Sequence, residues 1–125
     1  MRKYLLHILI ISFVFLLAPT AHVASYAGEL EDAIEDAKEE VRINPDNAEA
    51  HSNLSLAYYL LGNYKKAIES YKQAIRLGPD DAGAHFNLGL AYVFSKDRDS
   101  AVEEYEILKS LDTELANKLF DEINK

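Results

Sequence analysis

Two histidines, His51 and His85, and a run of carboxylates from Glu29 to Glu40 are the side chains of this sequence best suited to chemistry. Thirty-four residues separate the histidines. On equivalent faces of successive packed helices, they would stand roughly 10 Å apart, the interaxial spacing being about 8–10 Å. Zn–N bonds of about 2.0–2.1 Å cannot span that gap, so both histidines are expected to pack between helices. The carboxylates Glu29, Glu31, Asp32, Glu35, Asp36, Glu39 and Glu40 scatter evenly over a helical surface, as a solvated face does. No metal site is expected. The absence of cysteine removes thiolate ligands, disulfides and thiol-linked lipid. Gly28, Gly62, Gly78, Gly83 and Gly89 form no phosphate-cradling loop. No nucleophile, base and orienter occur at a recognisable spacing. The chain is therefore expected to be non-catalytic and to need no cofactor.

The elements that position these residues repeat. Laying residues 48–81 on residues 82–115 without a gap gives twelve identities, among them His51/His85, Asn53/Asn87, Leu54/Leu88, Tyr58/Tyr92, Ala67/Ala101 and Tyr71/Tyr105. A period of this length marks a stacked array of supersecondary units. Within the first unit, residues 48–61 carry Leu54, Ala57, Tyr58 and Leu61 at helical spacing. Residues 64–77 do the same with Ala67, Ile68, Tyr71, Ala74 and Ile75. Gly62-Asn63 ends the first helix and Gly78-Pro79 the second, while Asp80 or Asp81 can cap the next. Asn44-Pro45-Asp46-Asn47 repeats that punctuation one unit earlier. The turn Ser95–Ser100 lacks glycine, so Lys96 or Asp97 must take the left-handed conformation, and this turn is expected to be the more mobile.

These residues resemble the tetratricopeptide pattern W-x2-L-G-x2-Y, then A-x3-F, then P. The first unit reads His51-x2-Leu54-Ser55-x2-Tyr58, Ala67-x3-Tyr71, Pro79; the second reads His85-x2-Leu88-Gly89-x2-Tyr92, Ala101-x3-Tyr105, with Thr113 in the proline place. The resemblance implies an all-α fold, a right-handed α-α superhelix of helix-turn-helix repeats with terminal capping helices. It gives a repeat-packing role to His51, Leu54, Tyr58, Ala67 and Tyr71, and to His85, Leu88, Tyr92, Ala101 and Tyr105. It also implies a concave face lined by the first helices, with Ser52, Asn53, Leu56, Tyr59 and Leu60 from one unit. Phe86, Asn87, Leu90, Val93 and Phe94 come from the next. In peptide-binding members of the family, the asparagine matched by Asn53 and Asn87 helps hold a partner's terminal carboxylate, beside lysine and arginine. No Lys or Arg occurs between residues 48 and 61 or 82 and 94, so a carboxylate clamp lacks most of its attraction. A mostly apolar groove suits an extended segment or an amphipathic helix. The rival reading has the closing helix or a second copy cover Phe86, Val93 and Phe94.

The ends complete the organisation. Residues 28–47 form an N-terminal half-repeat capping helix with one apolar stripe, Leu30, Ala33, Ile34, Ala37 and Val41. Residues 48–81 and 82–115 are the full units, and residues 114–125 a closing helix with Leu115, Leu119, Phe120 and Ile123 on one side. Residues 1–27 read as a secretory signal peptide: Arg2 and Lys3, an apolar run from Tyr4 to Ala18, and small residues at Ser25 and Ala27. The alternative is an uncleaved N-terminal anchor. Both place the array outside the cytoplasmic membrane, exported as a periplasmic or secreted protein or held at the inner membrane. Beyond residue 27 the chain carries 11 basic and 21 acidic side chains, net −10. That sign disfavours nucleic acid and anionic lipid, leaving the membrane reachable only through a retained N-terminus. The expected function is a scaffold that binds another protein, as a peptide or helix, in the groove. The alternatives are self-assembly into a homo-oligomer, and an accessory subunit of a membrane-associated enzyme complex.

Overall fold

Wherever the sequence places a stop and a start signal together, one helix ends and another begins. The computed structural model describes the backbone from Arg2 and the side chains from Val23 to Lys125. Six α-helices follow in order: α1 (Arg2–Ile43), α2 (Ala48–Leu60), α3 (Tyr64–Leu77), α4 (Ala82–Phe94), α5 (Arg98–Leu111) and α6 (Thr113–Ile123). No strand occurs among the described residues. The leader expected over residues 1–27 lies largely outside the described side chains. Its boundary at Gly28 falls inside α1, which runs on unbroken to Ile43. Among the described residues, no helix is long and apolar enough to cross a membrane.

Each later helix starts on a side-chain oxygen that accepts from a backbone N–H otherwise left without an intrahelical partner. Asn47 accepts from Glu49 (3.0 Å), Asn63 from Lys66 (3.3 Å), Asp81 from Ala84 (3.1 Å), Asp97 from Ser100 (3.1 Å) and Asp112 from Leu115 (3.0 Å). Asp97 also accepts from the Ser100 hydroxyl (2.8 Å), and these bonds lower its carboxyl below the usual range. Gly62 closes α2 at φ 82°. In the second unit the same left-handed place is filled by Lys96 at φ 65°, as the missing glycine requires.

Each helix lies against the next in the chain, and α6 also packs on α4. The result is an all-α right-handed superhelix in two layers, with α2, α4 and α6 in one and α1, α3 and α5 in the other. Every helix pair hides its apolar side on its neighbour, the logic of a solenoid. The main core runs from Ile34 and Ala37 of α1 through Leu54, Tyr58, Tyr71, Leu88 and Tyr92 to Ala101 of α5. A second cluster, Leu108, Ala116 and Leu119, seals the C-terminal end. There Leu119 lies so close to α4 that a Cβ at Gly89 would collide with it. Three residues depart from the expected stripes. Ala33 is exposed because α1 packs chiefly on α2, and Leu61 is exposed because it is the C-cap of α2 rather than part of its packed face. Phe120 of α6 is exposed as well, its ring resting against Tyr105 at 5.4 Å.

Candidate functional site

The first-layer helices α2, α4 and α6 enclose a cleft of about 330 Å³ lined by Tyr59, Phe86, Leu90, Phe94, Lys118 and Glu122. Its apolar wall is built from α4, where Phe86, Leu90 and Phe94 recur at i, i+4 and i+8 and so share a face. Phe86, Leu90 and Val93 also lean on the cluster formed by Leu119 and its neighbours. The closing helix therefore covers part of the expected groove and leaves them half-buried. Phe94 stays open, 49% exposed. It is held from below: Tyr64 stacks on it at 5.6 Å with planes 19° apart, and Tyr59 meets both rings edge-on at 5.6 and 5.8 Å. Aromatic pairs at these distances contribute about 0.5–1.5 kcal/mol each beyond area burial, so the Phe94 ring is held in place despite its exposure.

The other groove residues lie elsewhere. Asn53, Leu56 and Leu60 are exposed on α2, Leu60 at 58%, and Ser52 and Asn87 are half-buried; none of the five lines the cleft. Val93 borders an adjoining hollow of about 220 Å³ with Lys96, Arg98 and Ile123. Two residues that line the cleft, and the ring that stacks on Phe94, are not legible as such in the sequence. Lys118 and Glu122 looked like the solvent side of a cap, and Tyr64 like the start of a helix. Had α6 been treated as the first helix of a third, incomplete unit, its residues would have fallen on the α2 and α4 face.

The cleft's charges are balanced within α6 and the two residues that follow it. Lys118 Nζ donates to Glu114 at 2.7 Å, which raises its pKa, and Lys125 Nζ donates to Glu122 at 2.5 Å. Tyr59 is held un-ionised to higher pH by burial, then by Tyr64 and Glu122. With no Lys or Arg on α2 or α4, nothing on those walls attracts a carboxylate.

The histidines sit at the joints. His51 Nε2–H donates to the carbonyl of Pro45 and His85 Nε2–H to that of Pro79, both at 2.8 Å. His85 Nδ1 lies 2.6 Å from Glu104 Oε2, with histidine and glutamate only 5% and 9% exposed. Both ring nitrogens of His85 thus face oxygen. All contacts are met only when the pair holds two protons, as imidazolium with carboxylate or as imidazole with carboxyl. Glu104 was missed because it stands among Glu103 and Glu106 on a helix that reads as solvated. Of the other packing residues, Leu54, Tyr58, Ala67, Tyr71, Leu88, Tyr92 and Ala101 are buried and Tyr105 is half-buried. Among the described residues, no three His, Cys, Asp or Glu side chains converge as metal ligands would.

Two stacked helical hairpins, with a single helix before them and another after them, are an arrangement that known families share. The profile described as TPR repeat matches residues 26–62 and 56–93, and that described as Tetratricopeptide repeat matches residues 82–114. The chain is a tetratricopeptide-repeat protein. The match at residues 26–62 takes in the C-terminal part of α1. No curated protein matches the sequence. Among solved structures, the second TPR domain of human RPAP3, in complex with an HSP70 peptide, superposes with a TM-score of 0.73 at 26% identity. That match covers 78% of this chain and 83% of the RPAP3 domain. A thermophilic TPR protein of Thermus thermophilus matches at 30% identity and TM-score 0.70, over 78% of this chain and 52% of its own. MamA matches at 28% and 0.66, over 77% and 67%. TPR domains are in general protein-interaction modules, and this one resembles domains solved with bound peptides.

Proposed function

We propose that this TPR array is a non-catalytic adaptor that takes an apolar peptide or helical segment of another protein against Phe94 in the cleft between α2, α4 and α6. It does so outside the cytoplasmic membrane. The observation that carries this reading is the half-exposed Phe94, braced by Tyr64 and Tyr59 at the mouth of a largely apolar cleft. The peptide-bound RPAP3 domain supports it, and the location rests on the leader-like composition of residues 1–27. An accessory subunit of a membrane-associated enzyme complex would use the same surface.

The self-paired charges of α6 set the selectivity. A segment entering this cleft meets no free cation, so it is chosen by apolar shape, and an acidic, carboxylate-ended peptide is disfavoured. Two units offer a small contact, which suits an affinity of about 1 μM. The test is selection from a random peptide library, followed by calorimetric titration of the selected sequence. Binding should change less than about twofold between low and high salt, since little Coulomb attraction is available to screen. Phe94→Lys, alone or with Leu60→Lys, should abolish it while helicity stays intact. Undiminished binding to the Phe94→Lys variant would refute the site. Selection of acidic C-terminal sequences would refute the stated selectivity.

A further inference from the structure

Of the eleven basic residues beyond residue 27, Lys96 sits in the α4–α5 turn and Arg98 is held by the Ile123 carbonyl and Asn124, and the other nine divide by environment. Lys38, Arg42, Lys109, Lys118 and Lys125 each bond a carboxylate three or four residues away, at 2.5–2.7 Å. The four on α3, Lys65, Lys66, Lys72 and Arg76, are all exposed and form no ion pair. Lys66 and Lys72 lie over the Tyr58 and Tyr92 rings at 5.3 and 5.9 Å, and Arg76 donates to Gln73. Glu69 is the single acid on α3, which makes this helix net +3 in a chain of net −8. No other helix of the array is net positive. Lys72 is near enough to Asp97 to help lower that carboxyl, yet none of the four is closed into a salt bridge amid 21 carboxylates, which leaves them positioned for a carboxylate on another molecule.

The chain itself carries a surface of matching form. On α1, Glu29, Asp32, Asp36 and Glu40 recur at i, i+3, i+7 and i+11, all exposed and none in an ion pair. On α3, Lys65, Lys72 and Arg76 recur at i, i+7 and i+11. Each stripe is about 16 Å long at a rise of 1.5 Å per residue. Both helices belong to the same layer. Their buried residues, Ile34 and Ala37 on α1 and Ala67, Tyr71 and Ala74 on α3, occupy other faces of each helix, which leaves both stripes open.

We propose that a second copy of this chain docks on this layer, the acidic stripe of α1 in each protomer lying along the basic stripe of α3 in the other. A two-fold axis makes the contact twice, as an isologous interface does. Because every other helix of the array is neutral or acidic, this is the orientation in which two like-charged chains meet opposite sign. Each exposed pair is weak alone and screened by salt, so the association is reversible and sensitive to ionic strength. Glu69, inside the cation stripe, is the one charge that opposes it.

The absence of native cysteine makes orientation directly measurable in the full chain. Asp36→Cys and Lys72→Cys variants are mixed in equal amounts and treated with a short bis-maleimide. The expected result is a mixed cross-linked dimer at about 50 mM salt that falls about tenfold at 0.5 M, where screening is nearly complete beyond a few ångströms. Adding Lys65→Glu and Arg76→Glu to the Lys72→Cys chain should remove it, and Glu69→Lys should raise its yield. All these sites are exposed, and circular dichroism confirms that each variant is folded. No mixed product at low salt, or either variant linking to itself as well as to the other, would overturn the proposal. So would a yield indifferent to the charge reversals.

Discussion

In the first full repeat His51 is half-exposed and holds only the Pro45 carbonyl, with Ser70 standing where the second repeat has Glu104. In the second, His85 is buried and joins the Pro79 carbonyl of the linker to Glu104 of α5. The turn glycine shows the opposite trend: Gly62 relaxes the first repeat, whereas Lys96 is left with a positive φ in the second. Position 55 is Ser, its hydroxyl donating to the His51 carbonyl at 2.7 Å, while the equivalent Gly89 is bare so that Leu119 can reach α4. One pattern of apolar spacing is thus closed by local backbone chemistry in one repeat and by a long-range polar link in the other. The link sits in the repeat that carries the cleft wall, where a shift of α4 would misplace Phe94.

The comparison is broken most forcefully at Glu104. Glu104→Ala strands the Nδ1 of His85 in the interior, and leaving a buried polar group unsatisfied costs up to about 3 kcal/mol. Ser70→Ala, its counterpart, should change stability by less than about 0.5 kcal/mol. Urea melts of the two variants measure the difference, and equal losses would erase the contrast drawn here.

A second equivalent pair, Tyr71 and Tyr105, sharpens it. Tyr71 is 1% exposed with a hydroxyl that has no hydrogen-bond partner, and burial, with a smaller contribution from Tyr59, pushes its pKa to about 12. Because the folded value lies above the unfolded one of about 10, the stability this group contributes is complete below pH 10. It is lost between pH 10 and 12, by about 3 kcal/mol. Tyr71→Phe should remove that alkaline loss and, having no stranded hydroxyl, gain about 1 kcal/mol at neutral pH. Chemical denaturation at pH 7, 10 and 11.5 decides it; an unchanged pH slope would show that the hydroxyl ionises freely.

The smallest effect exchanges the turns. Lys96→Gly should stabilise by about 0.5–1 kcal/mol and Gly62→Ala destabilise by about 1 kcal/mol, since a side chain at positive φ is strained. Thermal melts of both single variants should shift in opposite directions.

Much of this was legible in the sequence, for a definite reason. Helix spans, an N-cap within Asn44–Asn47 and at Asp80 or Asp81, a left-handed residue at Lys96 or Asp97, and the buried Leu54, Tyr58, Leu88 and Tyr92 all follow from local spacing, which a 34-residue period writes twice; the structure selects Asn47, Asp81 and Lys96. What could not be read depends on contacts that break the period. Glu104 has no counterpart in the first repeat. Leu56 and Leu60 repeat as Leu90 and Phe94, yet only the second pair lines the cleft, because α6 stands beside α4 and not beside α2. Tyr64 matters through its stacking on a residue thirty positions later.

Asp112 ends α5 and begins α6 at once, so the joint between them has no spare residue. At its far end α6 is fastened by Arg98, which donates to the carbonyl of Ile123 and to Asn124, and its middle is locked by Leu119 over Gly89. A wall tied at both ends and in the middle does not act as a gate. On the proposed function, entry to the cleft is therefore governed by the ring of Phe94 and by the shape of the incoming chain. Encounter rates should follow the orientational limit for rigid patches, about 10⁵–10⁷ M⁻¹s⁻¹, with no slower opening step ahead of them.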